Sequence, residues 1–266
     1  MQRIDLQGAD EPKVSANCDI LSRIKHGPID RQFVMTEVYR PTKIWSLLTI
    51  AGLSFNSFFH VLLMFTGAGA MSNPELIIDL GEEGPMSAWY MIYGLLSIAN
   101  VMVTIATIVV FLIWLNLSHK NLLALRPSFL RFTSGWAVGW WFIPFANLVK
   151  PFQVVREVWC ESDPEVPQDQ MFLTESLHNA PTYMALWWGF WLAANIVSNG
   201  VDKLFDPDRT DNVAVVGLGF VVASALTIIA AALAIKVVRD ITSRQAARFV
   251  SVQRLERSEA FSAANS

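Results

Sequence analysis

Residues 135–149 read GWAVGWWFIPFANLV, and this apolar stretch decides how many times the chain crosses a membrane. It is 15 residues long and contains Pro144 past its centre. A crossing helix needs about 20 apolar residues, and proline removes a helical hydrogen bond. The stretch is therefore predicted to enter and leave the membrane on one side, as a Pro-broken re-entrant or interfacial segment. A fifth crossing is the alternative.

Four longer apolar runs surround this segment, and each predicts a transmembrane helix. They cover residues 44–65, 88–115, 183–201 and 213–238. Of the 266 residues, 53% are hydrophobic and 16% are charged, against about 25% charged in a typical soluble domain. The predicted fold is an all-α membrane protein with four transmembrane helices plus the re-entrant segment. The membrane domain then spans residues 44–238.

The basic residues predict the orientation of this domain. With four crossings, 18 of the 20 Lys and Arg residues fall on one side, whereas five crossings divide them 12 to 8. Positive charges accumulate on the cytoplasmic side of membrane proteins. We therefore expect a multi-pass protein of the bacterial inner membrane with both termini in the cytoplasm. The outer loops, 66–87 and 202–211, are then mainly acidic.

The two ends of the chain form the predicted cytoplasmic segments. Residues 1–43 are an N-terminal arm without an early apolar core, so they do not read as a signal peptide. Residues 239–266 continue as a basic helix and tail. Its apolar positions, Ile241, Phe249, Val252 and Leu255, lie roughly on one face. Such a helix is expected to lie along the anionic inner surface of the membrane.

The central block, residues 134–159, reads SGWAVGWWFIPFANLVKPFQVVREVW. It resembles the signature of an uncharacterised bacterial integral membrane family known as domain of unknown function 4328. The resemblance covers roughly residues 40–245. It implies an integral bacterial membrane protein and supplies no activity, substrate or catalytic residue. The matching residues are Gly135, Trp136, Gly139, Trp140, Trp141, Pro144, Phe145, Ala146, Asn147, Lys150, Pro151, Arg156, Glu157 and Trp159.

The residue types of this motif allow two interpretations. The spacing of Gly135 and Gly139 is typical of helices that approach closely, and Pro144 with Asn147 predicts a turn in which Asn147 bonds freed backbone groups. The favoured interpretation is a structural wedge packed among the four helices. The other is a functional turn, marked by Pro144 and Asn147, that lines a pore or a lipid-headgroup pocket. The residues expected in the cytoplasmic headgroup layer are Lys150, Arg156 and Glu157.

Polar residues within the apolar runs form pairs four positions apart, so each pair shares a helix face. Asn100 pairs in this way with Thr104. Inside a membrane such groups either join helices or line a path, and helix joining is the favoured interpretation. The intramembrane polar residues singled out are Asn56, His60, Asn100, Asn195 and Asn199.

Signatures of catalysis, metal binding and cofactor binding are not found in the sequence. It has no nucleophile elbow, phosphate-binding loop, zinc motif or dinucleotide fingerprint. His60 has no evident second haem ligand, and the two cysteines, Cys18 and Cys160, lie far apart. We expect no catalytic residues, no metal and no cofactor. The net charge of −3 argues against nucleic-acid binding.

These observations favour a non-catalytic integral inner-membrane protein that acts as an accessory, scaffold or regulatory subunit. One alternative is a small transporter or channel that uses the re-entrant turn. Another is an enzyme that acts on lipid headgroups. The expected partners are the lipid bilayer, anionic lipid headgroups, and either another membrane protein or further copies of the chain.

Overall fold

Helices dominate the structure, as the sequence predicts. The computed structural model describes residues 38–72, 88–125, 130–165, 180–204 and 213–265, and 89% of these residues are helical, with no strand among them. They all belong to one compact unit, Glu37–Ser266. The predicted N-terminal arm up to residue 37, and the greater part of both predicted outer loops, lie outside the described residues.

Two short 3-10 turns, Trp140–Phe142 and Ala146–Leu148, separate α3 from α4. The helices are α1 (Lys43–Ser72), α2 (Ala88–Leu125), α3 (Ser134–Gly139), α4 (Lys150–Glu161), α5 (Thr182–Leu204) and α6 (Val213–Ala264). All four predicted transmembrane helices end later than their apolar runs, with α5 ending at Leu204 rather than 201. α1 continues past residue 65, α2 continues to Leu125 rather than 115, and α6 runs without a break past residue 238.

Among the described residues, three helices are long and apolar enough to span a membrane, namely Lys43–Gly69, Met91–Leu125 and Ala214–Ala264. The chain is therefore an all-helical protein of the multi-pass membrane type. α5 has 23 residues, about 35 Å of helix, which is long enough to cross. Its indole and amide side chains lower its mean hydropathy, so the predicted fourth crossing is not confirmed.

The long helices pack side by side, with α6 between α1 and α5 and with α2 against α1. Glycine permits the closest approach between α1 and α2, because a Cβ atom on Gly52 would lie 2.5 Å from Thr107 Oγ1. Among the described residues, no other helix makes the close contact predicted at Gly135 and Gly139. A Cβ atom on Gly135 would meet no atom within 4 Å, and one on Gly139 would meet the ring of Trp136 in the same helix.

The buried core lies at one end of the bundle. We call this end the base: residues 112–125 of α2, residues 130–165, residues 182–191 of α5 and residues 234–252 of α6. The remaining lengths of the long helices are called the shafts. In α2, Leu115 in the base is 0% exposed, whereas Leu95 on the shaft is 69% exposed. The core residues are Trp114, Leu115, Leu122, Phe132, Ala137, Val154, Val155, Val158, Met184, Trp187, Trp188, Ala234, Val237, Val238 and Ile241.

The basic C-terminal segment differs from its prediction. Ile241 and Val252 are buried by protein, and the ring of Phe249 stacks on Tyr39 with centroids 4.3 Å apart. Most of the predicted apolar face therefore packs within the base and is not left to contact the membrane surface. Only from Arg254 onward is the helix exposed throughout.

Candidate functional site

Residues 134–149, which we call the wedge, form a broken segment and no continuous helix. α3 begins after Thr133, whose Oγ1 accepts a hydrogen bond from Trp136 N, and it has six residues, about 9 Å of helix. Pro144 cannot donate a helical hydrogen bond, and Phe145 follows with φ 62° and ψ −46°. No single helix in the wedge can cross a hydrocarbon core of about 30 Å.

The backbone amides of the turn donate hydrogen bonds to carbonyl oxygens of the same turn. The four consecutive amides of residues 146–149 donate to carbonyl oxygens two to four residues earlier, at 2.7 to 3.2 Å. This is the condition for irregular backbone to persist in an apolar environment. The Asn147 side chain does not have its predicted role, because its Oδ1 atom is buried and accepts no hydrogen bond from any described residue.

Side chains from α2 and α4 hold the beginning of the wedge. Asn116 Nδ2 donates to the carbonyl oxygen of Ser134 at 2.7 Å. Glu157 accepts a hydrogen bond from the Arg131 amide through Oε1, and its Oε2 lies 3.2 Å from His119 Nε2. One carboxylate therefore joins α4 to α2 and to the chain that enters α3.

Protein encloses Glu157, a residue that the sequence predicts in the headgroup layer. Glu157 is 5% exposed and His119 is 1% exposed. The sequence analysis did not pair them, since they lie 38 positions apart. A signal was available, because Glu157 follows Val154 by three residues and precedes Val158 by one, so it lies on the apolar face of an amphipathic helix.

An aromatic cluster fixes the other flank of the wedge against α5 and α2. Trp141 meets Trp188 with ring centroids 5.8 Å apart and Trp191 at 6.1 Å, while Trp188 and Trp191 stack at 4.7 Å. Trp188 Nε1 also donates to the carbonyl oxygen of Leu148 at 2.8 Å. Aromatic pairs contribute about 0.5–1.5 kcal/mol beyond their buried area, so the cluster holds the wedge firmly.

The tip of the wedge remains uncovered by the described chain. Phe142 and Phe145 are 71% and 87% exposed, and Leu148 and Val149 are about half exposed. The predicted packing among four helices is therefore incomplete, because described residues hold the beginning and the aromatic flank of the wedge but leave its tip uncovered. The wedge ends at Lys150, whose Nζ lies 5.7 Å from the ring centroids of both Phe132 and Trp140.

The remaining motif residues fall near the start of α4. Pro151 is buried in the first turn of that helix, where a missing amide hydrogen is tolerated. Arg156 is half-buried on the same helix. Trp136 is half exposed on α3, and its ring lies 4.6 Å from that of Trp140. The motif therefore encodes both the turn and the helix that packs behind it.

Two of the three pairs of intramembrane polar residues, Asn56/His60 and Asn100/Thr104, join helices. Asn56 Nδ2 on α1 donates to Asn100 Oδ1 at 3.3 Å and to Thr104 Oγ1 on α2. His60 Nδ1 lies 3.3 Å from Ser224 Oγ on α6. These contacts have the helix-joining role that the polar spacing favours.

The third pair, Asn195 and Asn199, forms no hydrogen bond to another helix among the described residues. Asn195 Nδ2 donates to Trp191 O, and Asn199 Nδ2 donates to Asn195 O, both at 2.7 Å and within α5. Both side chains are exposed, and they line a groove of about 610 Å³ together with Asn147 of the wedge. The full lining is Asn147, Leu148, Trp191, Leu192, Asn195, Ile196, Asn199, Gly200 and Lys203.

The groove is the place where predicted site residues from distant parts of the sequence meet. It combines apolar walls with three amides and one lysine. Within the residues that the structure describes, no group of three or more His, Cys, Asp and Glu side chains could hold a metal ion.

The comparisons with known proteins bear on the family alone. Searches of curated proteins and of solved structures gave no match. The sequence model described as "Domain of unknown function (DUF4328)" matches residues 82–243. This range covers more than half of the chain, from before α2 into α6, and includes the wedge, α4 and α5. It begins later than the expected residue 40 and leaves out α1. The chain belongs to the DUF4328 family.

Proposed function

We propose that the chain is a non-catalytic subunit of the inner membrane, with four crossings and both termini in the cytoplasm, that assembles with another membrane protein. In this proposal α5 is the fourth crossing and the wedge is re-entrant. The length of α5 supports the first assignment, and the self-bonded turn with its apolar tip supports the second. The asymmetry of the basic residues supports the orientation.

The observation that carries the proposal is the exposed amide pair of α5. In a spanning helix, Asn195 and Asn199 lie between the two ends, with their side chains exposed at the groove. Polar groups at membrane depth usually face a protein interior, where they bond across helices. The described chain does not cover these two. A partner that covers them accounts for their position.

Mass measurement of the protein in native nanodiscs tests this function. We expect the intact chain to be extracted in a complex heavier than one copy. The double variant Asn195→Leu/Asn199→Leu should reduce the fraction in the complex, because it removes both amides while keeping the helix apolar. Leu186→Ala, at an exposed position of α5 outside the groove, is the matched control and should leave the fraction unchanged. A lone monomer in gentle extraction would contradict the proposal.

A small transporter or channel is a second candidate, favoured by the position of Asn147. Its buried Oδ1 lacks a donor among the described residues, and the side chain shares the groove with both α5 amides. These three groups could form a polar path to the wedge. Proteoliposomes should then show flux of ions or small solutes that Asn147→Leu reduces. Absence of flux from the wild-type protein would exclude this candidate.

A further inference from the structure

The amides of the α5 groove have a defined orientation. Because Asn195 Nδ2 and Asn199 Nδ2 donate to their own helix at 2.7 Å, each side chain leaves its Oδ1 acceptor for an occupant. Asn147 lines the same groove, but its Oδ1 atom is buried and is not open to an occupant. The groove therefore offers acceptors at Asn195 and Asn199, and an occupant that brings hydrogen-bond donors can pair with both.

The depth of these acceptor atoms in the membrane indicates whether the occupant of the groove is a lipid or a protein helix. Lys203 lies in the last turn of α5, and Asn195 is eight residues earlier, about 12 Å along the helix axis. A phospholipid carries its donors in the headgroup and has only hydrocarbon at that depth. A transmembrane helix can place a hydroxyl or amide donor at any depth. The acceptors thus fit a helix better than a lipid.

The positive end of the groove argues against a second copy of the chain. If α5 packed against α5 of another copy in the same orientation, Lys203 would face the same lysine, and like charges repel. A partner with a carboxylate at this level would pair with it. Gly200 lines the groove, and a Cβ atom there would meet no atom within 4 Å, so a foreign backbone can approach closely.

We infer that the groove of α5 receives a transmembrane helix of a different protein. That helix presents hydroxyl or amide donors about four residues apart and a carboxylate near Lys203. The inference rests on the proposed function and identifies the kind of partner. The wedge contributes Asn147 and Leu148 to the groove, so the partner helix also contacts the motif segment.

Site-specific photocrosslinking in living cells tests the inference. A benzoylphenylalanine introduced at Ile196, which is 72% exposed in the groove, should crosslink to a transmembrane peptide with the stated donors and carboxylate, identified by mass spectrometry. The same probe at Leu186, outside the groove, should not yield that product. A crosslink to a second copy of this chain, to lipid alone, or to a helix without those groups would overturn the inference.

Variants of Lys203 test whether the partner helix is recognised through its charge or only lies near the groove. Lys203→Glu should reduce the crosslink at Ile196 at least tenfold, whereas Lys203→Arg should retain most of it. Equal yields from both variants would overturn the proposed charge pairing. The masses of the nanodisc complexes distinguish failure of this inference from failure of the proposed function. A heavier complex with a self-crosslink contradicts this inference and leaves the subunit function standing, while a lone monomer contradicts both.

Discussion

Leu115 and Leu95 belong to the same helix, yet one is fully buried in the base and the other is largely exposed on the shaft. The base surrounds its apolar residues with protein and encloses polar groups as well, including His119 and Glu157. The shafts leave many apolar side chains uncovered. The comparison shows that apolar side chains of one helix lie in two different environments. Hydrocarbon can replace protein around a shaft, but it cannot pair a buried carboxylate.

The buried pair of the base should give the largest loss of stability. His119→Ala leaves the Glu157 carboxylate buried with one partner fewer, which should lower the free energy of unfolding by about 3–5 kcal/mol. His60→Ala, which removes a single shaft contact to Ser224, should lower it by about 1 kcal/mol. Chemical unfolding in detergent measures both. Equal losses would remove the proposed difference between base and shaft.

Truncation of matched leucines in α2 tests the same comparison through packing. Leu115→Ala should lower the free energy of unfolding by about 2–5 kcal/mol, because it leaves a cavity in the core. Leu95→Ala should change it by less than about 0.5 kcal/mol, since the side chain is exposed on the shaft. Thermal unfolding of the two variants in one detergent provides the measurement. A large effect at Leu95 would show that protein covers the shaft there.

Alkylation of Cys160 tests how tightly the base is closed. Burial is the main cause that raises the pKa of the Cys160 thiol from 9.0 to about 11. The thiolate is the reactive form, so the thiolate fraction near pH 8 should fall about 100-fold relative to an unperturbed thiol. Labelling in a Cys18→Ser background should be slow and should accelerate as the pH rises toward 11.

A control cysteine at an exposed position gives a fast-labelling reference for Cys160. It also reports on which side of the membrane the base lies. Glu165→Cys, at an exposed position in a Cys18→Ser/Cys160→Ala background, should label rapidly. In intact cells it should label only with a permeant reagent if this side is cytoplasmic. Fast labelling of Cys160 at pH 8 would instead show that the base opens readily.

The smallest expected effect concerns the polar contact between two shafts. Asn56→Leu removes the hydrogen bonds to Asn100 and Thr104 and should lower stability by about 0.6–1.7 kcal/mol, because hydrogen bonds between membrane helices are individually modest. Asn100→Leu should give a similar value, and the double variant should add little more. Additive losses in such a double-mutant cycle would mean that the two residues act separately.

Much of the fold could be predicted, because apolar runs and their lengths are local properties of the chain. The all-helical membrane fold and the family followed from them and from the central motif. The end of the second helix near residue 115 was placed too early, since the base buries α2 beyond its apolar run. No described helix approaches Gly135 and Gly139 as expected, since glycine spacing alone does not show which helix lies opposite.

The sequence by itself determined that this protein is apolar, helical and broken at Pro144, because hydropathy and proline geometry act over neighbouring residues. Tertiary structure decided which polar groups meet. It buried Glu157 against His119 and brought Asn147 to the exposed amides Asn195 and Asn199. Such pairings join residues 38 or more positions apart, and they depend on the orientation of whole helices, which no local pattern encodes.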